Sequence, residues 1–286
     1  IRRGDGVRAL VVGGTGMLGQ AVTAHWLERG AAVLAVGSDR VDLTRPDTGE
    51  RAIADFAPEL VVNCAAFTRV DDCESEPELA MAINGTGVGD LARATSAAGA
   101  KLIHISTDYV FDGESAEPYD EAAAVNPRSV YGESKLEGER QTLRFPRNLV
   151  LRTSWLFGPG GGSFAATILR LLADGGQPLR VVADQHGCPT YAPYLAATIW
   201  ELAAADATGV LHYCNREATT WHGFALAIVR AAGREVEIEA ISTEEMPRPA
   251  ERPAHSVLSV ERVERLLGHP VEPWQRGLES YLEQVR

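Results

Sequence analysis

An α/β fold, with a doubly wound parallel sheet and a smaller C-terminal α/β domain, is predicted by three observations. Short β-branched apolar runs alternate with helical patterns along most of the 286 residues, and such alternation builds βαβ units. Several runs, such as Ala9-Leu10-Val11-Val12, are apolar throughout rather than alternating, as strands covered on both faces must be. The first run enters a glycine-rich turn, Gly13-Gly14-Thr15-Gly16-Met17-Leu18-Gly19, and then a helical pattern to Glu28. A strand, a glycine turn and a helix in that order is how a Rossmann-type domain begins.

Taken in order, strands are expected at 9–12, 32–36, 60–63, 101–106, 149–153, 179–182 and 210–214, with helices at 20–28, 78–98 and 163–173 between them. After Trp155 the character changes to Gly158-Pro159-Gly160-Gly161-Gly162, then Gly187-Cys188-Pro189, then Pro247, Pro249 and Pro253. Such residues punctuate loops and are rare inside sheets. The smaller region should hold strands near Val210 and Val236 and helices near 221–232, 260–267 and 274–285, with Thr219-Thr220 as a helix cap. The expected division is a dinucleotide-binding domain over 1–154. A mainly substrate-binding domain follows over 155–286, some segments returning to the first.

Composition narrows the partners. The 39 acidic against 27 basic residues give a net charge of −12, which argues against nucleic acid or an anionic membrane surface. Four scattered cysteines, Cys64, Cys73, Cys188 and Cys214, form neither a disulfide framework nor a zinc site, so reduced and mostly buried thiols are expected. The histidines at 25, 104, 186, 212, 222, 255 and 269 lack ligand spacing, so no metal site is assigned. No apolar run approaches the roughly 18 to 20 residues of a membrane span, and the polar opening at 1–6 lacks the apolar core of a signal peptide. A cytoplasmic protein is expected.

Three motifs carry chemistry. In the turn, Gly13 allows a tight bend, Gly16 a close approach to a pyrophosphate, and Gly19 contact between helix and sheet; the helix start favours the negative charge. After the second strand, Gly37 leaves no carboxylate at the tip, while Ser38 and Arg40 could reach a 2′-phosphate, which favours NADPH. Asp39 pulls the other way and keeps NADH open. Tyr131 and Lys135, four residues apart, share one helix face. There an ammonium can lower a phenol's pKa and make it a usable acid, and Lys135 would also donate to the nicotinamide ribose, so that Tyr131 and Lys135 count among the cofactor-binding candidates too. Thr107, where the strand at 101–106 ends at the ligand-binding edge of the sheet, becomes the donor to a substrate oxygen.

With these elements in order, the chain resembles the extended short-chain dehydrogenase/reductase family and, within it, the dTDP-4-dehydrorhamnose reductases. The likeness runs from Gly13 to Trp274 and includes the segments 63–71, 74–80, 106–111, 152–155, 184–190, 219–222 and 252–253. The resemblance implies a catalytic trio of Thr107, Tyr131 and Lys135. It implies cofactor contacts at Gly13, Thr15, Gly16, Met17 and Leu18, at Asp42 and Leu43 for the adenine end, and at Ala65, Ala66 and Thr68 for the nicotinamide side. Substrate contacts would fall at Val70, Thr107, Asp108, Tyr131 and Trp155, with a dTDP sugar as ligand. Mg²⁺ at a contact between two copies occurs in such families, so a homodimer and an unassigned Mg²⁺ remain open. Phe67, Gly37-Ser38 and His255 depart from the expected pattern. The implied activity is NADPH-dependent reduction of the C4 ketone of dTDP-4-dehydro-6-deoxy-L-mannose. A ketoreductase for another deoxysugar, a 4-epimerase, and a non-catalytic regulatory subunit are the alternatives; Tyr109, in place of a glutamate, counts against a 4,6-dehydratase.

Overall fold

The computed structural model describes residues 6–174 and 178–285; the polar opening at 1–5 lies outside them. The first half alternates as its sequence predicts. Strand β1 (Arg8–Val12) leads to α1 (Met17–Glu28), β2 (Ala32–Val36), α2 (Pro46–Phe56) and β3 (Leu60–Asn63). Then come the short helices α3 (Val70–Ser75) and α4 (Pro77–Met81), α5 (Gly87–Ala97), β4 (Lys101–Thr107), α6 (Val130–Leu143) and β5 (Leu149–Thr153). The expected single helix over 78–98 is interrupted. Ala82–Thr86 form a π-helical turn between α4 and α5, and an inserted residue of this kind re-aims the side chains around it, here Asn84.

The remaining elements are β6 (Leu156–Phe157), α7 (Phe164–Ala173), β7 (Leu179–Val182), β8 (His186–Gly187), β9 (Thr190–Tyr191), α8 (Ala192–Ala204) and β10 (Gly209–His212). They continue through β11 (Thr219–Thr220), α9 (Trp221–Ala231), β12 (Ile238–Ile241), α10 (Glu261–Leu267) and α11 (Trp274–Val285). Thr220 caps α9 as expected, its hydroxyl accepting from the Gly223 N–H at 3.0 Å. The strand expected near Val236 forms two residues later.

Six strands form one parallel sheet in the order β10-β5-β4-β3-β1-β2. One expectation is corrected here. The strand at Val210 belongs to this sheet and not to the smaller region, because Gly209–His212 pair in parallel with Leu149–Arg152. The crossover a parallel pair demands runs through α8, which packs on α1 with Trp200 edge-on to the fully buried Trp26 at 5.2 Å. The run 179–182 leaves the main sheet and pairs with β12. Both sheet faces are covered, one by α1 and α8 and the other by α2 and α5. A separate core gathers α7, α9 and α11 around Phe224, Trp274 and Leu278. The strand order reverses direction at β1, between β2 and β3, and ligands of such sheets bind beyond the carboxyl ends there.

Candidate functional site

The glycine turn sits at that switch point. Gly13 has φ +77°, and a Cβ on it would lie 2.5 Å from the Ala65 nitrogen. A Cβ on Gly19 would meet the Gly13 carbonyl at 2.1 Å, so helix and turn close on each other only through glycine. Gly16 differs: an added Cβ meets nothing nearer than 3.4 Å and its φ is −78°. The protein's own packing does not demand a glycine there, whereas an approaching pyrophosphate would. Gly16 is also the N-cap of the 12-residue α1 and supplies no side-chain cap, which leaves the first helical N–H groups of Met17 and Leu18 available to an anion. The turn therefore fits a dinucleotide. The Gln20 amide clamps it, donating to the carbonyls of Thr15 at 2.6 Å and Gly160 at 3.0 Å.

Other expected cofactor residues ring the same edge. Ser38 and Arg40 are exposed beyond β2, while the Asp39 carboxylate folds back to within 2.7 Å of where a Gly37 Cβ would stand. Asp42 uses its carboxylate locally, accepting from the Thr44 N–H and hydroxyl at 2.9 and 2.7 Å; these bonds hold its pKa below the usual value. The Leu43 side chain is core, so only its backbone faces outward. Ala65 and Ala66 are half-buried and Thr68 is exposed, on the segment following β3.

The catalytic candidates converge at the end of β4. Thr107 Oγ1 donates to Asp108 Oδ1 at 3.0 Å and accepts from the Tyr109 N–H at 3.2 Å. It is also the hydrogen-bonding neighbour of the Tyr131 phenol. Tyr131, Lys135 and Asp108 are all buried, and Val70 packs in the cluster around Tyr131 with Phe67 and Tyr109. The Ser129 hydroxyl caps α6 at Gly132, and Glu74 of α3 accepts from the Val130 N–H, fixing the helix that carries the Tyr/Lys pair.

The expected electrostatics of that pair are corrected. Burial raises the Tyr131 pKa above that of a free phenol, with Asp108 and Tyr109 adding to the rise and the Thr107 hydroxyl opposing it. Lys135 instead donates to the Ile105 carbonyl at 2.7 Å and lies 3.4 Å from His104 Nε2, and burial pulls its own pKa down to about 8. Burial is the largest cause at both groups. Burial also pushes the Asp108 carboxyl up to about 6, against the pull of the Ser256 and Thr107 hydroxyls, and its Oδ2 has no hydrogen-bond partner among the described residues.

Trp155 lies between β5 and β6. Its ring stacks on Trp221, centroids 3.5 Å apart and 7° from parallel. The backbone holds it at φ +46°, a costly conformation for a bulky residue and one that recurs at ligand sites. Several site residues carry no motif of their own and were not anticipated. Asn84, from the π turn, bonds both the N–H and the carbonyl of Phe67 and also the Ser134 hydroxyl on α6. Arg252 crosses from the C-terminal region to Asp71 at 2.5 Å. Arg252 lay in a resembling segment, 252–253, whereas Asn84 lay in none, and no signal in the sequence marked it.

Among the described residues no group of three or more His, Cys, Asp or Glu could hold a metal ion, and all four cysteines are free. No described helix is long and apolar enough to cross a membrane.

Residues 7–286 match the family described as RmlD substrate binding domain. The chain belongs to this family. Among the RmlD relatives, the dTDP-4-dehydrorhamnose reductase of Streptomyces griseus is 42% identical over 279 residues, 95% of this chain and 91% of the relative. A dTDP-4-dehydrorhamnose reductase from Bacillus anthracis, solved in complex with NADP, superposes with a TM-score of 0.94 at 33% identity, covering 98% of this chain and 100% of the other. The fold extends to the UDP-glucose 4-epimerase of Thermus thermophilus in complex with NAD, at 25% identity and TM-score 0.83 over 97% and 98% of the two chains. The RmlD match runs through the parallel sheet and the elements that follow it.

Proposed function

We propose that this protein reduces the C4 ketone of dTDP-4-dehydro-6-deoxy-L-mannose to give dTDP-L-rhamnose, with NADPH as reductant. The reading is carried by Thr107, Tyr131 and Asp108 meeting at the carboxyl end of β4, beside a glycine turn that fits a dinucleotide. NADPH would supply the hydride. Thr107 and Tyr131 would hydrogen-bond the ketone oxygen as charge builds on it, and Tyr131 would deliver the proton. A phenol whose pKa burial holds high remains protonated at neutral pH, which suits a donor. Asp108, buried beside Thr107, would accept from a sugar hydroxyl once the substrate reaches its Oδ2. A cavity of about 720 Å³, lined among others by Tyr109, Trp221, Arg180, Arg248 and Arg252, offers an aromatic wall and guanidinium groups for a nucleoside diphosphate, which would compete there with Glu239, Glu245 and Asp71 for Arg180 and Arg252.

NADPH over NADH rests on Ser38 and Arg40. An Arg40→Ala variant should raise KM for NADPH severalfold and leave KM for NADH unchanged; equal effects on both would remove Arg40 from the 2′-phosphate. The activity is tested by NADPH consumption with the 4-keto sugar nucleotide as substrate, and a Tyr131→Phe variant of full rate would refute Tyr131 as the acid. A 4-epimerase would leave NADPH absorbance unchanged over the whole reaction.

A further inference from the structure

Beneath the nicotinamide-side segment lies a chain of buried polar groups whose direction is fixed by its ends. The Ala65 N–H donates to Asn63 Oδ1 at 3.1 Å, so the other arm of that amide, Nδ2, is a donor. Nδ2 lies 3.1 Å from His104 Nδ1, which must therefore accept. A neutral imidazole accepting at Nδ1 carries its proton on Nε2. That Nε2–H points at Lys135 Nζ, 3.4 Å away. Asn63 and His104 are fully buried, Lys135 is 2% exposed, and burial together with Lys135 holds His104 neutral. An ammonium has no lone pair to receive the Nε2–H, whereas an amine has one, and an amine can still donate to the Ile105 carbonyl.

We propose that His104, oriented by Asn63, is a positioning residue that favours Lys135 as the neutral amine in the cofactor-free protein, so that dinucleotide binding draws a proton onto Lys135. The proposal rests on the reading that Lys135 meets the cofactor ribose. Hydroxyl oxygens arriving there add acceptors, which an ammonium satisfies and an amine cannot fully satisfy. Because Asn63 also holds the Ala65 N–H, the wire ties the charge of Lys135 to the segment on the nicotinamide side. Other charged or titratable groups around Lys135 are few. Glu139, one turn along α6, raises its pKa but is committed to Arg152 of β5 at 2.7 Å. Cys64 follows β3 with its thiol pushed up to about 12 by burial and therefore neutral. The π turn contributes no charge.

The test counts protons. Calorimetric titration of the whole protein with NADP⁺ in buffers of different ionisation enthalpy reports protons taken up per cofactor bound. At about pH 8 to 9, above the ~6 at which a phosphate itself titrates, we expect an uptake of a sizeable fraction of a proton that fades toward pH 7. Asn63→Asp should reverse the wire, because a carboxylate accepts from both Ala65 and His104; Nε2 then accepts from the ammonium and the uptake is lost. His104→Gln, an amide able to accept from Asn63 and donate to Lys135, should retain it. Tight binding without uptake by the unaltered protein, or an unchanged uptake in Asn63→Asp, would overturn the proposal. Failure to bind NADP⁺ at all would instead refute the cofactor reading.

Discussion

Tyr131 and Lys135 were singled out by their spacing together with Thr107 at a strand end, and the structure buries all three. Their electrostatics were not legible, because desolvation depends on what covers a side chain, and that is settled by Val70, Phe67 and Tyr109 from other elements. Loss of the phenol in Tyr131→Phe should lower kcat by about 10²- to 10⁴-fold with little change in NADPH binding, measured by steady-state kinetics. Asp108 gives a second outcome at this scale. Its pKa is raised to about 6 in the folded protein, so the folded form binds the proton more tightly than the unfolded chain. Stability from this group is present below about pH 4 and is lost as pH rises through 4 to 6, a cost of about 3 kcal/mol above that range. Asp108→Asn should therefore melt several degrees above the parent at pH 8 and coincide with it near pH 4, while sugar-nucleotide KM rises. A variant no more stable at pH 8 would mean that the buried carboxylate is not strained.

At the scale of elements, the helix carrying the pair is seated by the π turn. Gly138 of α6 lies so close to this turn that an added Cβ would stand 2.2 Å from the Asn84 carbonyl, a backbone atom that cannot swing aside. Gly138→Ala should destabilise the fold by roughly 1 to 3 kcal/mol and lower activity more than stability, because α6 must tilt. Denaturant unfolding and kcat together check this. Helical periodicity alone predicts one continuous helix over 78–98, since a single inserted residue barely alters an apolar pattern; the turn became visible only through the bonds of Asn84. Gly187 plays a comparable part beneath Trp155, where a Cβ would stand 2.5 Å from the indole. Gly187→Ala should displace Trp155 from Trp221, raising KM for the sugar nucleotide and leaving NADPH binding intact.

Across the whole molecule, the parallel sheet followed from the alternation of runs and a returning segment was expected, but that β10 is such a segment was not. A four-residue apolar strand reads alike in either region; only the parallel pairing with β5 and the packing of α8 on α1 assign it. The C-terminal region also meets the first half directly, where the Arg252–Asp71 pair crosses 181 residues of chain. Both partners are partly exposed, at 18% and 28%, so Arg252→Met should cost no more than about 1 kcal/mol of stability yet raise sugar-nucleotide KM. Under the proposed function, the acidic body, with its net charge of −12, would meet polyanionic ligands through a helix start, backbone amides and a few guanidinium groups. The most direct measurement is product analysis after incubation with NADPH and dTDP-4-dehydro-6-deoxy-L-mannose generated in place. Stoichiometric NADPH oxidation with dTDP-L-rhamnose as the product is expected; no oxidation, or the C4 epimer as the product, would contradict the account.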